Sequence, residues 1–256
     1  MSIQLNFGNL PLHEVVARAW FQPSFPFGFR VVNSVAEQLK SHFSKLTEPK
    51  IWRPPPWQPL HRVPDTPGPV AGAVYEEHEQ GLRVSLQGNL IAVHWTKSAK
   101  ENAPAYPRFP AVERALWQTF DALENAVDEL PPVRVMNMDY ANFIEARDSA
   151  TVLHDYFSDK MEVKALEGAQ EAQHVEVAWR GADGVDLRFK LNAATTQFGQ
   201  EKRTGFRLLT AAGVLLEESH DRREALANIH ERLQVFFKSV ISDRAEREWK
   251  LEVDNG

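Results

Sequence analysis

The sequence predicts an α+β fold: two β-α-β-β-β-α units, each with a mainly antiparallel sheet and one long helix packed on it. Three observations carry this. Apolar and polar residues alternate in short runs joined by Gly, Asn and Asp turns, the pattern of antiparallel strands. Two stretches, Val112–Leu130 and Asp221–Ile241, keep apolar residues at helical spacing. The order strand, helix, three strands, helix is then met twice along the chain, without residue-level identity between the halves. The N-terminal unit is expected over 1–130 and the C-terminal unit over 131–256, as separate domains or as one continuous globule.

The elements follow in order. Glu14 to Phe21 alternates as a strand, with Val15, Ala17, Ala19 and Phe21 on one face. Pro23 and Pro26 exclude regular helix from the aromatic loop that follows. Val35, Leu39, Phe43 and Leu46 recur at helical spacing and predict a helix over Val31–Leu46, with Asn33 or Ser34 as N-cap. Residues 53–70 hold seven of the chain's 16 prolines and predict an extended loop, because proline fixes φ and donates no hydrogen bond. Val74–Gln80, Leu82–Gln87 and Leu90–Thr96 read as strands, the last two joined at Gln87-Gly88-Asn89.

Val112, Leu116, Thr119, Phe120, Leu123, Val127 and Leu130 form one buried helical stripe, stopped by Pro131-Pro132. Val133–Glu145 is a long strand, and Leu153, Tyr156 and Phe157 suggest a short helix. Val175, Val177 and Trp179 alternate, turn at Ala182-Asp183-Gly184, and return as Val185, Leu187, Phe189 and Leu191. Gly205–Thr210 and Val214–Glu218 supply one or two further strands. Asp221-Arg222-Arg223-Glu224 opens the last helix, whose stripe Leu226, Ile229, Leu233, Phe236, Phe237 and Val240 is expected to face its own sheet, with Trp249 closing its end.

Bulk properties narrow the function. The chain has 256 residues, enough for a substantial core, and a net charge of −6, which offers phosphate backbones no global attraction. Nucleic acid would need a local basic patch, and no Lys/Arg-rich run provides one. There is no cysteine, which excludes disulfides, thiolate nucleophiles and cysteine-held metals. No apolar run nears the roughly 20 residues that span a bilayer, and no signal peptide is visible, so a cytoplasmic protein without a membrane partner is expected.

The common catalytic motifs fail. No Gly-rich nucleotide loop and no Gly-x-Ser-x-Gly elbow occurs, so no cofactor is expected. His13-Glu14 is followed by Ala17, and His230-Glu231 by Gln234, where a metalloprotease helix needs a second His. His154-Asp155 and His220-Asp221 are doublets of metal-ligand type, but Asp221 at a helix start is more simply an N-cap. In Glu76-Glu77-His78-Glu79 strand alternation points His78 away from Glu77 and Glu79. The best hydrolase trace is Asp155 with Glu162 and Lys164: two carboxylates for a divalent ion and a lysine to orient water. An acidic-x-Lys triplet also arises by chance in any chain of this length. No residue set is expected to bind metal otherwise.

Trp52 and Trp57, with Pro55 and Pro56, are expected to bind a partner, because aromatics beside a preformed proline segment dock at low entropic cost. Trp20, Phe21 and the Phe25, Phe27, Phe29 run are either part of that surface or core. The chain opens with Asn9-Leu10-Pro11-Leu12-His13-Glu14-Val15-Val16 running to Trp20-Phe21-Gln22-Pro23. It closes with Ile229-His230-Glu231 on a helix that reaches Phe236, Phe237, Ile241 and Trp249. These ends resemble those of a sporadically distributed family of uncharacterised bacterial proteins. The resemblance implies one complete module, brings no activity with it, and makes His13, Glu14, His230 and Glu231 signature positions. Their expected role is structural, a buried His–Glu hydrogen bond between the last helix and the first strand, with an acid–base pair as the other use. Patchy distribution further implies a mobile system of the antiviral-defence or toxin–antidote kind. The expected function is therefore a non-enzymatic subunit of a bacterial protein complex; the alternative is a metal-dependent hydrolase or nuclease.

Overall fold

The structure, a computed structural model, describes residues 4–7, 11–43, 45–47, 72–77, 79–97, 104–146, 149–157, 174–181, 183–198, 201–217 and 219–254. It is a mixed α+β protein with five helices among the described residues and one large, mainly antiparallel sheet. The strands are β1 (Gln4–Phe7), β2 (Leu12–Phe21), β3 (Lys45–Thr47), β4 (Gly72–Glu76), β5 (Leu82–Gln87), β6 (Leu90–Thr96), β7 (Val133–Ile144), β8 (His174–Arg180), β9 (Val185–Phe198), β10 (Glu201–Leu215) and β11 (Leu251–Asp254). The helices are α1 (Phe29–Leu39), α2 (Phe109–Glu124), α3 (Ser149–Tyr156), α4 (Arg222–Val240) and α5 (Asp243–Glu248). Nine strands take the order β3-β4-β5-β6-β2-β7-β10-β9-β8, and β1 pairs antiparallel with β11 in a separate ribbon. No described helix is long and apolar enough to cross a membrane.

The chain divides into two compact units. One comprises Glu14–Met138 and Gly213–Leu226, and is called here the β2 unit. The other comprises Met1–His13, Asp139–Ala212 and Ala227–Gly256, and is called the β8 unit.

In the β2 unit the β5–β6 hairpin turns at Gly88-Asn89, as its turn residues dictate, and β2 lies beside β6 with Val15 opposite Trp95 and Ala19 opposite Ile91. Helices α1 and α2 pack on each other, and α2 packs on β5 and β6. Beneath them Val35, Val84, Ile91, Val93, Val112, Leu116 and Leu123 are fully enclosed. Tyr75 donates its phenolic hydrogen to Val32 O at 3.0 Å, and Gln38 donates to Ala122 O at 3.2 Å. Phe21 meets Phe25 edge-on at 5.3 Å and Phe120 at 5.7 Å. The aromatic loop therefore divides: Phe25 is core, Phe27 is half-buried, and Phe29 is 80% exposed.

Several boundaries differ from the sequence expectation. The first helix stops at Leu39, not Leu46; its N-cap is Gly28, and Asn33 and Ser34 lie within the helix. A turn in which His42 N and Phe43 N both donate to Leu39 O keeps Phe43 in the core, while Leu46 moves into β3 opposite Tyr75. Helix α2 begins at Phe109, with Pro110 in its first turn, and ends at Glu124; the Asn125 side chain donates to Asp121 O at 2.9 Å. Val127 and Leu130 beyond it are half-buried. Of the one or two strands expected over 205–218 the structure forms one, β10, which starts earlier, at Glu201.

In the β8 unit, β8 and β9 form a hairpin, and α3, α4 and α5 contribute to one apolar cluster with Phe189, Leu191, Phe206 and Leu208. At the start of α4, which belongs to the β2 unit, Asp221 Oδ1 accepts from the N–H groups of Arg223 and Glu224 at 2.7 and 3.2 Å, so it caps the helix as expected. The helix yields after Val240 to a second one capped by Ser242, whose Oγ accepts from Ala245 N at 3.2 Å and donates to Asp155 O at 2.6 Å. Trp249 ends that second helix and stacks on both Tyr156 and Phe237, at 5.5 and 5.8 Å between ring centroids. The apolar stripe of α4 is core: Leu226, Ile229, Leu233, Phe236, Phe237 and Val240 are all buried.

Phe237→Ala is expected to lower stability by about 3–5 kcal/mol, the usual cost of deleting a buried aromatic ring. Val235→Ala, one helical position from Phe236 but 42% exposed, should stay within about 0.5 kcal/mol. Denaturant melts of both variants decide the matter; equal losses would contradict this placement of the helix.

Candidate functional site

Strand alternation divides the β4–β5–β6–β2 sheet into two unlike faces. On the face under α1 and α2, the cross-strand rows are Tyr75–Val84–Val93–Ala17 and Ala73–Leu86–Ile91–Ala19, apolar except for one phenol. On the opposite face the rows are Glu76–Arg83–His94–Val16, Val74–Ser85–Ala92–Arg18 and Gly72–Gln87–Leu90–Trp20. This second face carries two guanidinium groups, a carboxylate, an imidazole, a hydroxyl, a carboxamide and an indole. A sheet face closed by its own fold is normally apolar, and a polar one is normally solvated. Here Arg18 and Gln87 are each only 5% exposed, and Ser85 and Trp20 are buried too.

Partners satisfy part of this chemistry. The Trp20 indole donates to Asn137 Oδ1 on β7 at 3.1 Å. Gly213 makes room for that bond: a Cβ there would lie 3.1 Å from Asn137 Cβ and 3.2 Å from Met136 O. Arg83 pairs with Glu76 at 3.3 Å at the open β4–β5 margin, where the guanidinium is mostly exposed. Among the described residues the buried Gln87 Nε2 donor finds no hydrogen-bond partner. Burial, reinforced by the positive charges of Arg18 and Arg83, lowers the His94 pKa to about 3, so its ring is neutral at physiological pH. The face is thus rich in hydrogen-bond donors, with a neutral imidazole beside two guanidinium groups. Those groups can grip carboxylate or carbonyl oxygens.

The residues expected from sequence fall elsewhere. Trp52, Pro55, Pro56 and Trp57, with the whole 53–70 loop, lie outside the described residues. So do Glu162 and Lys164. Asp155 is described, and its carboxylate is held by Arg244 at 2.7 Å and by His154 Nδ1 at 3.0 Å, a structural ion pair at the α3–α5 junction. Among the described residues no cluster of His, Asp and Glu has the spacing to hold a metal ion. His78 is outside the described residues; Glu76 pairs with Arg83, and Glu77 has its pKa raised by burial and by Glu79.

His13 and Glu14 sit half-buried on β2. On α4, Glu231 is exposed and so supplies no buried link. His230 accepts from the Gln234 amide at 2.9 Å one turn on, and its ring lies 6.4 Å from that of Tyr140. Burial lowers its pKa to about 4. The polar face itself escaped the sequence. Its only linear trace is the alternation Arg83-Ser85-Gln87 in β5, which a solvated strand would show equally well.

Two outcomes follow. Both imidazoles have folded pKa values below the ordinary 6.5, so the unfolded chain takes up protons first on acidification. Their contribution to stability is full above about 6.5 and is lost as pH falls toward 4 and then 3. Melting temperature should fall across that window, and His94→Gln should make the fall shallower; an unchanged slope would refute the burial of this ring. Trp20→Phe keeps an aromatic ring but removes the pyrrole half of the indole with its donor to Asn137, and should cost about 1–3 kcal/mol in a denaturant melt.

No family model matches this chain, and no curated protein is significantly similar to it.

Proposed function

We propose that the protein is a non-catalytic binding protein, a subunit of a protein complex, and that the polar face of the β2 unit receives its partner. One observation carries this: a sheet face on which Arg18, Ser85 and Gln87 are buried while Arg83 and His94, in register with them, stay exposed and half-buried at its margin. Leaving a buried donor such as Gln87 Nε2 unsatisfied costs free energy that a purely structural face would avoid. Donors predominate, so the partner offers acceptors: an acidic or carbonyl-rich protein segment. The resemblance of the chain's ends to a sporadically distributed bacterial family fits a subunit role. The element order supports the duplicated β-α-β-β-β-α plan over 1–130 and 131–256. β2, α1, β4, β5, β6 and α2 are followed by β7, α3, β8, β9, β10 and α4, with β1 and β3 as additions in the first half and α5 and β11 in the second.

Gln87→Leu tests the proposal with little risk to the fold, because it removes a buried donor that has no partner. Its melting temperature should hold or rise. Co-expressed with the products of neighbouring genes, the unaltered protein should elute with one of them on size exclusion. Gln87→Leu and Arg83→Glu should each weaken that complex roughly tenfold or more, about 1.4 kcal/mol. A protein that elutes without any neighbour, or a Gln87→Leu variant with undiminished affinity, would sink it.

A further inference from the structure

We propose that the outer edge of β8 pairs antiparallel with β8 of a second copy of this chain, about a two-fold axis at Ala178. This goes beyond the binding role above and rests on different residues.

Strand β8 ends the nine-strand order and is hydrogen-bonded to β9 on its other side. Gly181 N donates to Val185 O at 2.8 Å, which fixes the phase of the ladder. Odd-numbered residues of β8 therefore turn their backbone groups toward β9. Glu176, Ala178 and Arg180 turn theirs outward. The two ends of the strand order differ in how they guard against pairing. β3 at one end has only three residues, and shortness blunts an edge. β8 has seven residues without proline, glycine or lysine. Glu176, Ala178, Trp179 and Arg180 are all exposed, and Trp179, at 38%, is one of the few large apolar side chains in water.

Charge selects the occupant and the register. With Ala178 on the axis, Glu176 faces Arg180 of the second copy, and Arg180 faces its Glu176. Each of the three outward pairs can exchange two backbone hydrogen bonds. Val177 then lies opposite Trp179 of the second copy, an aromatic–β-branched pair on the apolar face. The smallest side chain of the strand meets itself at the axis. An axis at Glu176 would oppose like charges, and an axis at Val177 would leave Glu176 facing alanine and Arg180 facing histidine, with no opposite charges paired. The two ionic groups are already held in place within the chain. Glu176 pairs with Arg188 and Lys190, each at 3.3 Å, and Arg180 pairs with Asp186 at 3.1 Å. Dimerisation extends these into a row from Asp186 through Arg180 to Glu176 of the second copy. Exposed pairs contribute little affinity, so they set register while backbone bonds and the buried indole supply the attraction.

Light scattering on a size-exclusion column should give twice the 29.1 kDa chain mass for the full-length protein, dissociating on dilution. A monomer at every concentration overturns the proposal. Ala178→Pro removes an N–H that β9 does not use, so it should yield a monomer with an unchanged circular dichroism spectrum; a persisting dimer overturns it. Glu176→Arg and Arg180→Glu each place like charges opposite one another and should each be monomeric. Mixed together, they should form a one-to-one heterodimer, since each contact then joins opposite charges. The mixture separates this interface from simple misfolding of either variant, and failure to associate overturns the register.

Discussion

The pleat of β2 is the constraint on which much of the structure depends. Every residue from Val15 to Phe21 is buried, yet successive side chains point to opposite faces. Val15, Ala17, Ala19 and Phe21 enter the helix-covered core, where apolar burial needs no further explanation. Val16, Arg18 and Trp20 are sent the other way, and the last two bring polar groups with them. Those groups must be met by polar neighbours. Asn137 accepts the indole proton, and Gly213 supplies the space that lets it do so. The character of the second face is in this sense a consequence of one strand's alternation, propagated across β6 and β5 by register.

The β8 unit meets the same burial problem with rings. Trp249 lies nearly parallel to both Tyr156 and Phe237, while Arg244 holds Asp155 and lies 5.7 Å from the centre of the Tyr156 ring. A short capped helix thereby becomes part of the core cluster without needing length of its own. The same ion pair accounts for Asp155, the one described member of the expected hydrolase triad, as a group that positions helices.

Local signals made the hairpins and the α4 stripe legible. Gly88-Asn89 and the alternation on either side of it fix β5 and β6 to the residue, and the spacing of Leu226, Ile229, Leu233 and Phe236 gives both the helix and its buried face. Helix ends were misjudged where periodicity outruns hydrogen bonding. Phe43 keeps its place in the core through a turn, so its spacing imitates a longer α1. Gly205 and Gly213 resemble strand breakers in sequence, whereas in β10 they permit close approach of a neighbouring strand. The polar face was the least legible feature. Arg18, Gln87, His94 and Asn137 lie on four strands, and only two-dimensional register brings them together. No one-dimensional spacing encodes that.

The place of β2 between β6 and β7 also bears on how the chain reaches its fold. Its pairing with β6 joins Glu14 to Thr96, so a long loop must close before the strand gains a neighbour on that side. The β5–β6 and β8–β9 hairpins close over two turns of a few residues and can form first. During synthesis this buried inner strand is therefore made early and covered late. The run from Val15 to Phe21, with one charge in seven residues, waits in the open until β6 has left the ribosome. In that interval Arg18 acts as a gatekeeper, a charge set in the middle of a segment that would otherwise pair with the first strand it met.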